Sequence, residues 1–276
     1  MPSTLPAAGA AHNSPTGCAC LSPATSRYGR RVAVTLYSLA VSHPGLAVRA
    51  MLARKRIDHR VVELWPGMQP LVRAIGFPRH TVPALILEDG RRVQGSIPIA
   101  RALDQLRPEP PLFPADPAAR EAVEAAERWG DEVLQPVPRR VFRWMTVRHE
   151  EVRAWVADAA HVPLGRLLAK PAAQAAWFAA DVGADDAAVR ADLAALPGHL
   201  AEVERLRADG VIGGAEPNAA DFQIAASLRW LERIDDLAPI RSHPAIRWAA
   251  TVVPPLPGPT PPGLPAEWLG PVRAIG

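Results

Sequence analysis

Ser42 lies where a predicted strand meets a predicted helix, in the segment LYSLAVSHPGLAVRAML at residues 36–52. The first turn of a helix leaves backbone N–H groups without partners and carries a partial positive charge, so it favours an anion. A hydroxyl at this point can donate to a bound thiolate and lower the pKa of the thiol from its free value of about 8.5. The same hydroxyl can instead cap the helix, and His43, just before Pro44, is a competing cap. The pattern therefore indicates either thiol activation or helix capping.

Two later segments could also bind a ligand. TVPAL begins a predicted strand with Pro83, which is tolerated only at a strand's entry or edge. A cis bond before Pro83 would leave the N–H and C=O of Val82 free to pair with an extended peptide, whereas a trans proline would merely begin the strand. Ser96 ends the run QGS and opens a predicted helix, where it can cap the helix, hold a carboxylate with the first N–H groups, or do both.

Asn218 and Asp221 have the spacing of a capping box at the start of a helix. In such a box each side chain accepts a hydrogen bond from the backbone N–H of the other residue. We therefore assign this pair a structural role.

Short apolar runs and helical periodicities alternate in the first third of the chain. Strands are predicted over 32–37, 59–65, 83–89 and 91–94, with a hairpin at Asp89-Gly90 and helices after the first and fourth strands. Parallel neighbours require a crossover helix, and a hairpin requires an antiparallel pair, so the prediction is a small mixed sheet covered by helices.

The rest of the chain contains only helical patterns. We predict a disordered leader over 1–30, an α/β domain over 31–106, a linker over 107–117, an all-α domain over 118–253 and a proline-rich tail over 254–276. Helix breaks are predicted near Pro136/Pro138, Pro163, Gly183, Pro197 and Gly210–Gly214. The tail is expected to form no regular helix, although Trp268 and Leu269 could anchor it.

Composition excludes several classes of function. The 276 residues carry a formal charge of only +3, and no basic stripe is interleaved with aromatic residues, which argues against a nucleic-acid partner. No apolar run is long enough for a membrane helix, and no secretory signal is recognisable. Cys18 and Cys20 form an isolated C-x-C pair without further metal ligands, so we predict no metal site and a reducing, cytoplasmic location.

Taken together, the segments LYSLAVSHPGLAVRAML, TVPAL, GRRVQGSIPIARAL and GGAEPNAADFQIAASLRWL resemble the glutathione S-transferase superfamily over about residues 32–250. The resemblance implies a thioredoxin-like N-terminal domain, an all-α C-terminal domain and a homodimer. It matches Ser42 to the activating serine of the serine-type classes, in particular those with a zeta-like loop. Val82 matches the residue whose backbone pairs with the cysteinyl part of glutathione, Pro83 the cis-proline, and Ser96 the serine that binds the γ-glutamyl carboxylate.

The same resemblance bears on the residues beside Ser96 and on the loop before Pro83. The family usually has an acid or amide immediately before the position of Ser96, but that residue here is Gly95, and Gln94 stands one position early. On a strand, Gln94 would point to the opposite face from its successor. His80 or Arg79 could supply a charge for the terminal carboxylate of the tripeptide.

The leading functional hypothesis is an enzyme that activates glutathione, or a related thiol, for conjugation to a small hydrophobic electrophile or for its isomerisation. Glutathione is then a co-substrate, and no other cofactor is expected. The alternative is a non-catalytic binding or scaffold protein, favoured by Gly95 and by His43-Pro44 in the loop. A thiol–disulfide enzyme ranks last because Ser42 stands where that chemistry needs cysteine. Trp129, Arg140 and Trp144 are candidate residues for the electrophile pocket.

Overall fold

The computed structural model of the chain describes residues 34–162, 172–254 and 258–275. The predicted leader with its two cysteines and the predicted break at Pro163 lie outside these ranges. Val32–Gly276 clusters as one unit by its internal contacts.

Four short strands form the sheet of the first third of the chain: β1 Val34–Ser38, β2 His59–Glu63, β3 Ala84–Ile86 and β4 Arg92–Gln94. Their order across the sheet is β2-β1-β3-β4. β1 runs parallel to β2, and β3 runs antiparallel to both β1 and β4. The predicted mixed sheet is confirmed.

The strands are shorter than predicted, most clearly β3, which ends at Ile86 rather than 89. The chain turns at this point, because Leu87 N–H donates to Arg91 C=O at 2.9 Å and Gly90 adopts a φ of +84°. Asp89 completes the turn by accepting a hydrogen bond from Arg91 N–H at 2.9 Å. The Asp-Gly pair therefore forms the predicted hairpin. The turn includes residues that were predicted to belong to β3.

Three helices accompany the sheet: α1 His43–Arg54, α2 Leu71–Ala74 and α3 Ser96–Leu106. α1 fills the crossover between the parallel strands β1 and β2, as the topology requires. Its inner face, including Val48, Met51 and Leu52, is fully buried.

The remainder is helical, as predicted. The α-helices are α4 Pro117–Trp129, α5 Pro136–Arg148, α6 Glu150–Ala159, α7 Ala172–Asp181, α8 Asp186–Ala208, α9 Ala219–Leu231, α10 Pro244–Val252 and α11 Gly270–Arg273. A π-helical turn, Gly130–Leu134, joins α4 to α5, and 3₁₀ turns span Asp235–Ser242 and Ala266–Trp268.

The helix break predicted near Pro197 is wrong, and the break predicted near Pro136 is wrong in part. Pro197 lies inside α8, where it removes one backbone hydrogen bond at a cost of about 3 kcal/mol. The complete burial of Leu193, Leu196 and Leu200 on the same helix offsets that cost. At Pro136 the helical path continues through the π turn, because a proline in the first turn of α5 loses no internal bond.

α9 is the central helix of the core, since every one of its residues is buried. It packs against α1 from the sheet side and against α4 and α10 from the helical side. The Asn218–Asp221 box begins it: Asn218 Oδ1 accepts from Asp221 N–H at 3.2 Å, and Asp221 Oδ2 accepts from Asn218 N–H at 2.7 Å.

Lys55 and Glu127 join the sheet-bearing part to the helical part. The wholly buried Lys55 ammonium contacts Asp104 on α3 and donates to the C=O of Arg107 at 2.7 Å and of Pro108 at 3.2 Å, which fixes the start of the linker. The buried Glu127 on α4 accepts a hydrogen bond from Arg101 on α3.

The tail packs on the helical part through Leu264, Leu269 and Val272. Trp268 stacks on Trp144 with ring centroids 5.1 Å apart, as the anchor hypothesis expected. The expectation of no helix is wrong for Gly270–Arg273, because Pro271 falls in the first turn, where proline is accepted.

Candidate active site

A cavity of about 820 Å³ lies between the helical part of the molecule and the edge of the sheet where β1 ends and β3 begins. Its lining brings together all six of the ligand-binding residues proposed from the sequence: Ser42, His80, Val82, Pro83, Gln94 and Ser96. Asn218 and Asp221 do not line it, in keeping with their structural role.

Ser42 is the N-cap of α1, and its Oγ accepts a hydrogen bond from Gly45 N–H at 3.1 Å. His43 is the first helical residue, so it is not the cap. Because Ser42 Oγ acts as an acceptor in this bond, its O–H remains able to donate to a ligand in the cavity. Capping and activation are therefore compatible in this geometry.

The Val82–Pro83 peptide bond is cis and leads directly into β3. Pro83 C=O accepts from Gly95 N–H at 2.9 Å, which ties the start of β3 to the end of β4. Among the described residues, none forms a hydrogen bond with the backbone N–H or C=O of Val82. These two groups are available to an extended peptide lying in the cavity.

Gln94 and Ser96 flank Gly95 at the end of β4. The Gln94 amide binds the loop before the cis-proline: it accepts from Arg79 N–H at 3.0 Å and donates to the C=O of Arg79 at 2.9 Å and of Thr81 at 2.6 Å. Gln94 thus positions that loop, a role that its sequence position did not reveal.

Ser96 is the first residue of α3, and Gly95, with a φ of +94°, occupies the cap position. The expectation that Ser96 itself caps the helix is therefore wrong. A left-handed φ of this kind favours glycine at this position. The Ser96 hydroxyl has no hydrogen-bond partner in the part of the chain that the structure describes.

His80 stands at the rim where α7 covers the cavity. Its ring stacks on Trp177 with centroids 5.5 Å apart, and its Nε2 lies 3.5 Å from Asp181 Oδ2. These contacts link the loop before the cis-proline to α7. Arg79 lines the same rim but is exposed.

The helical wall of the cavity presents three arginines: Arg139 and Arg143, one turn apart on α5, and Arg153 on α6. Burial, followed by the charge of Arg139, lowers the pKa of Arg143 to about 10. Burial also lowers the pKa of Arg139. The pKa of the buried His43 falls well below its usual value because of burial and then the two nearby guanidinium groups, so this imidazole is neutral at pH 7.

A short chain of hydrogen bonds orients Arg139. Its Nη2 donates to Gln135 Oε1, and Gln135 Nε2 donates to Asp131 Oδ1 at 2.6 Å. Gln223 on α9 donates to the same Asp131 oxygen at 3.2 Å. Asp131 belongs to the π turn, whose Gly130 permits close approach to α9: a Cβ there would lie 3.0 Å from Ile224 Cγ1.

The three residues proposed for the electrophile pocket are elsewhere. Trp129 contacts His199, Arg140 pairs with Asp192, and Trp144 Nε1 donates to Asp186 at 2.8 Å. The residues that do form this wall, among them Arg139, Phe142 and Arg143, were missed. The i, i+4 pair of arginines beside buried positions was the available signal.

No group of three or more His, Cys, Asp or Glu side chains suited to a metal ion occurs among residues 34–162, 172–254 and 258–275. Within the same ranges, no helix is both long and apolar enough to cross a membrane.

Comparison with known proteins gives one family. Residues 36–111 match the family described as glutathione S-transferase, N-terminal domain. No curated protein matches the sequence.

Three solved structures illustrate the similarity of fold. A glutathione S-transferase from Rhodospirillum rubrum F11 is 22% identical with a TM-score of 0.57, covering 86% of this chain and 99% of its own. FzlA from C. crescentus is 22% identical with a TM-score of 0.55, covering 80% of this chain and 88% of its own. A maleylacetoacetate isomerase from Anaeromyxobacter dehalogenans 2CP-1, with glutathione in its active site, is 22% identical with a TM-score of 0.50, covering 88% of this chain and 94% of its own. Residues 36–111 thus match the N-terminal domain of the glutathione S-transferases, and the chain shares the fold of these three structures.

Proposed function

We propose that the protein is a glutathione transferase in which Ser42 activates the thiol of glutathione. The observation that carries the proposal is the convergence, on one cavity, of the Ser42 hydroxyl, the unpaired backbone of Val82 and the Ser96 hydroxyl. The glutathione-bound maleylacetoacetate isomerase of the same fold supports the choice of thiol.

In the proposed complex, the cysteinyl N–H and C=O of glutathione pair with the backbone of Val82. This pairing directs the sulfur toward the start of α1, where the Ser42 O–H donates to it. The helix N-terminus favours the thiolate over the thiol. Loss of the thiol proton to solvent leaves a thiolate that forms the new C–S bond, while the leaving group departs with its electron pair.

Recognition of the remaining tripeptide groups completes the proposal. The γ-glutamyl carboxylate binds the Ser96 hydroxyl and the first N–H groups of α3. Gln94 supports the site through the loop that it holds, and His80 or Arg79 lies at the rim for the terminal carboxylate. Glutathione serves as the co-substrate, and no other cofactor takes part. The proposed protein is a cytoplasmic homodimer, and light scattering would measure its mass.

The test is conjugation of glutathione to a chromogenic aryl halide by wild type and Ser42→Ala. A hydrogen bond to a charged group contributes about 1.5–3 kcal/mol, so we expect kcat/KM to fall roughly 10- to 100-fold. The apparent pKa in the pH-rate profile should rise, because the bound thiolate loses the hydrogen-bond donor that stabilises it.

Asp116→Ala is the matched control, since Asp116 caps α4 by accepting from Ala119 N–H at 2.8 Å and does not line the cavity. It should lose a similar amount of stability, about 1 kcal/mol, without the kinetic change. Equal rates for wild type and Ser42→Ala would remove Ser42 from the mechanism.

A non-catalytic binding protein is the second candidate, and Gly95 favours it because this position offers no side chain to the γ-glutamyl group. Calorimetry separates the two. Absence of glutathione binding, together with absence of turnover, would replace the enzyme proposal by this one.

A further inference from the structure

Arg139 and Arg143 form an energetically costly arrangement that the thiol chemistry alone does not require. Two guanidinium groups one helical turn apart repel each other, and burial adds to the cost. In the described part of the chain, no carboxylate lies within ion-pair distance of either group. Asp131 and Asp181 act on these cations only at longer range, whereas buried cations are normally matched by an anion in direct contact.

The nearest acids do not supply that anion. Asp131 already accepts hydrogen bonds from Gln135 and Gln223. Asp181 is exposed, and its Oδ2 lies beside His80 Nε2. Both carboxylates line the cavity, but each is directed to another partner.

The surroundings of the two arginines indicate the rest of the ligand. Arg143 stacks over the ring of Phe178, with its Cζ 4.6 Å from the ring centroid, so one face of the guanidinium is covered and its edge remains for hydrogen bonds. The same wall presents a largely apolar surface beside the polar Thr146 and Arg153, formed by Phe142, Val156, Ala157, Phe178 and Trp230. An apolar body bearing one anionic group fits this combination.

We propose that Arg139 and Arg143 bind the carboxylate of the second substrate, so that the preferred electrophiles of this protein are apolar molecules carrying a carboxylate. The inference rests on the proposed function and adds its substrate class. Gln135 and Asp131 act as positioning residues, since they hold the guanidinium of Arg139 through the hydrogen bonds described above. Arginine provides paired N–H donors that match the two oxygens of a carboxylate.

Glutathione itself carries carboxylates, and the proposed function places them away from α5. Val82, Pro83 and Ser96 belong to the sheet side of the cavity, whereas both arginines project from α5. Separate kinetic constants for glutathione and for the electrophile distinguish a carboxylate of glutathione from a carboxylate of the electrophile.

The experiment compares 4-chloro-3-nitrobenzoate with its uncharged analogue 4-chloro-3-nitrobenzamide as electrophiles. We expect Arg143→Gln and Arg139→Gln each to lower kcat/KM for the benzoate about 10- to 100-fold, the range for a lost charge-assisted hydrogen bond. Turnover of the benzamide and the KM for glutathione should change less than about threefold. Arg143→Lys, which keeps the charge but not the paired donors, should restore part of the benzoate activity.

Arg148→Gln is the control, because Arg148 ends the same helix, pairs with Asp186 and does not line the cavity. It removes one positive charge from α5 and should leave the preference for the benzoate unchanged. Equal losses for benzoate and benzamide, or a raised KM for glutathione in Arg143→Gln, would overturn the proposal. Melting temperatures near that of wild type would show that each variant is folded.

Calorimetry with the unreactive pair 3-nitrobenzoate and 3-nitrobenzamide, without thiol, separates the two proposals. Preferential binding of the benzoate that Arg143→Gln abolishes, in a protein without turnover, would sustain the anion site and refute the transferase. Turnover without any preference for the charged ligand would refute the anion site and sustain the transferase.

Discussion

Glu127, at the contact between α3 and α4, tests whether burial or ion pairing has the larger effect on the pKa of a carboxyl group. Its side chain is fully buried, with one oxygen bonded to Arg101 and the other, Oε1, without a hydrogen-bond partner among the described residues. Burial, opposed by Arg101, raises the pKa of this carboxyl to about 7. We predict that Glu127 makes the protein less stable as the pH rises.

The sign follows from proton linkage. The pKa of Glu127 is about 7 in the folded state, against 4.5 for an unperturbed glutamate, which represents the unfolded state. Between these two pH values the folded state therefore binds more protons than the unfolded state. Its contribution to the free energy of unfolding is largest below about pH 4.5 and is lost as the pH rises to about 7. At about 1.4 kcal/mol for each pKa unit, the loss amounts to about 3 kcal/mol.

The perturbation is Glu127→Gln, which keeps the shape and the acceptor oxygen for Arg101 but cannot ionise. Urea unfolding of wild type and variant at intervals from pH 4.5 to 8 measures the difference. We expect the variant to gain about 3 kcal/mol relative to wild type across this range. Comparing the two proteins cancels the parallel effect of Asp221, whose pKa burial raises to about 6.

Glu121→Gln is the control, because Glu121 is exposed on the same helix and is not among the charges that shift the pKa of Glu127. It reports the general effect of removing one carboxylate from α4. Two results would refute the reasoning. One is a difference in the free energy of unfolding between Glu127→Gln and wild type that does not change with pH. The other is a wild type that becomes more stable as the pH rises, as an ion pair with Arg101 would require.

Two further changes test the packing that supports the site. Lys55→Met should reduce the free energy of unfolding by roughly 3–5 kcal/mol, because it leaves Asp104 without its buried cation; denaturant unfolding measures this, and a loss below about 1 kcal/mol would contradict it. Asn218→Ala should cost about 1–2 kcal/mol through the lost cap of α9, with glutathione binding unchanged once folded; a selective loss of binding would mean that the box does more than cap the helix.

The fold was accessible from the sequence because its signals are local. The Asp89-Gly90 turn and the crossover over α1 fix a mixed sheet, and the Asn218–Asp221 spacing fixes the start of α9. Pro197 shows where local signals fail: the complete burial of the neighbouring Leu193, Leu196 and Leu200 outweighs the preference of one residue, and a short sequence pattern does not show how fully a residue is buried.

The sheet side of the candidate site was likewise predictable, since Ser42, Val82 and Ser96 each lie at the end of a strand or the start of a helix. The helical wall was not. Apolar periodicity identifies the buried face of a helix but does not distinguish a core from a cavity, and Arg139 and Arg143 are polar residues in such a face. Gln94 was misread for a similar reason, because its partners are backbone groups 13 and 15 residues away in the sequence.

The π turn at Gly130–Leu134 has a consequence for how the two arginines are displayed. Such a turn contains one residue more than an ordinary α-helical turn, and one residue corresponds to a rotation of about 100°. If the same residues formed an ordinary α-helical turn, α5 would be rotated by roughly this angle and Arg139 and Arg143 would turn away from the cavity. The chemical character of that wall is thus encoded in the length of one turn as much as in the identity of the residues that follow it.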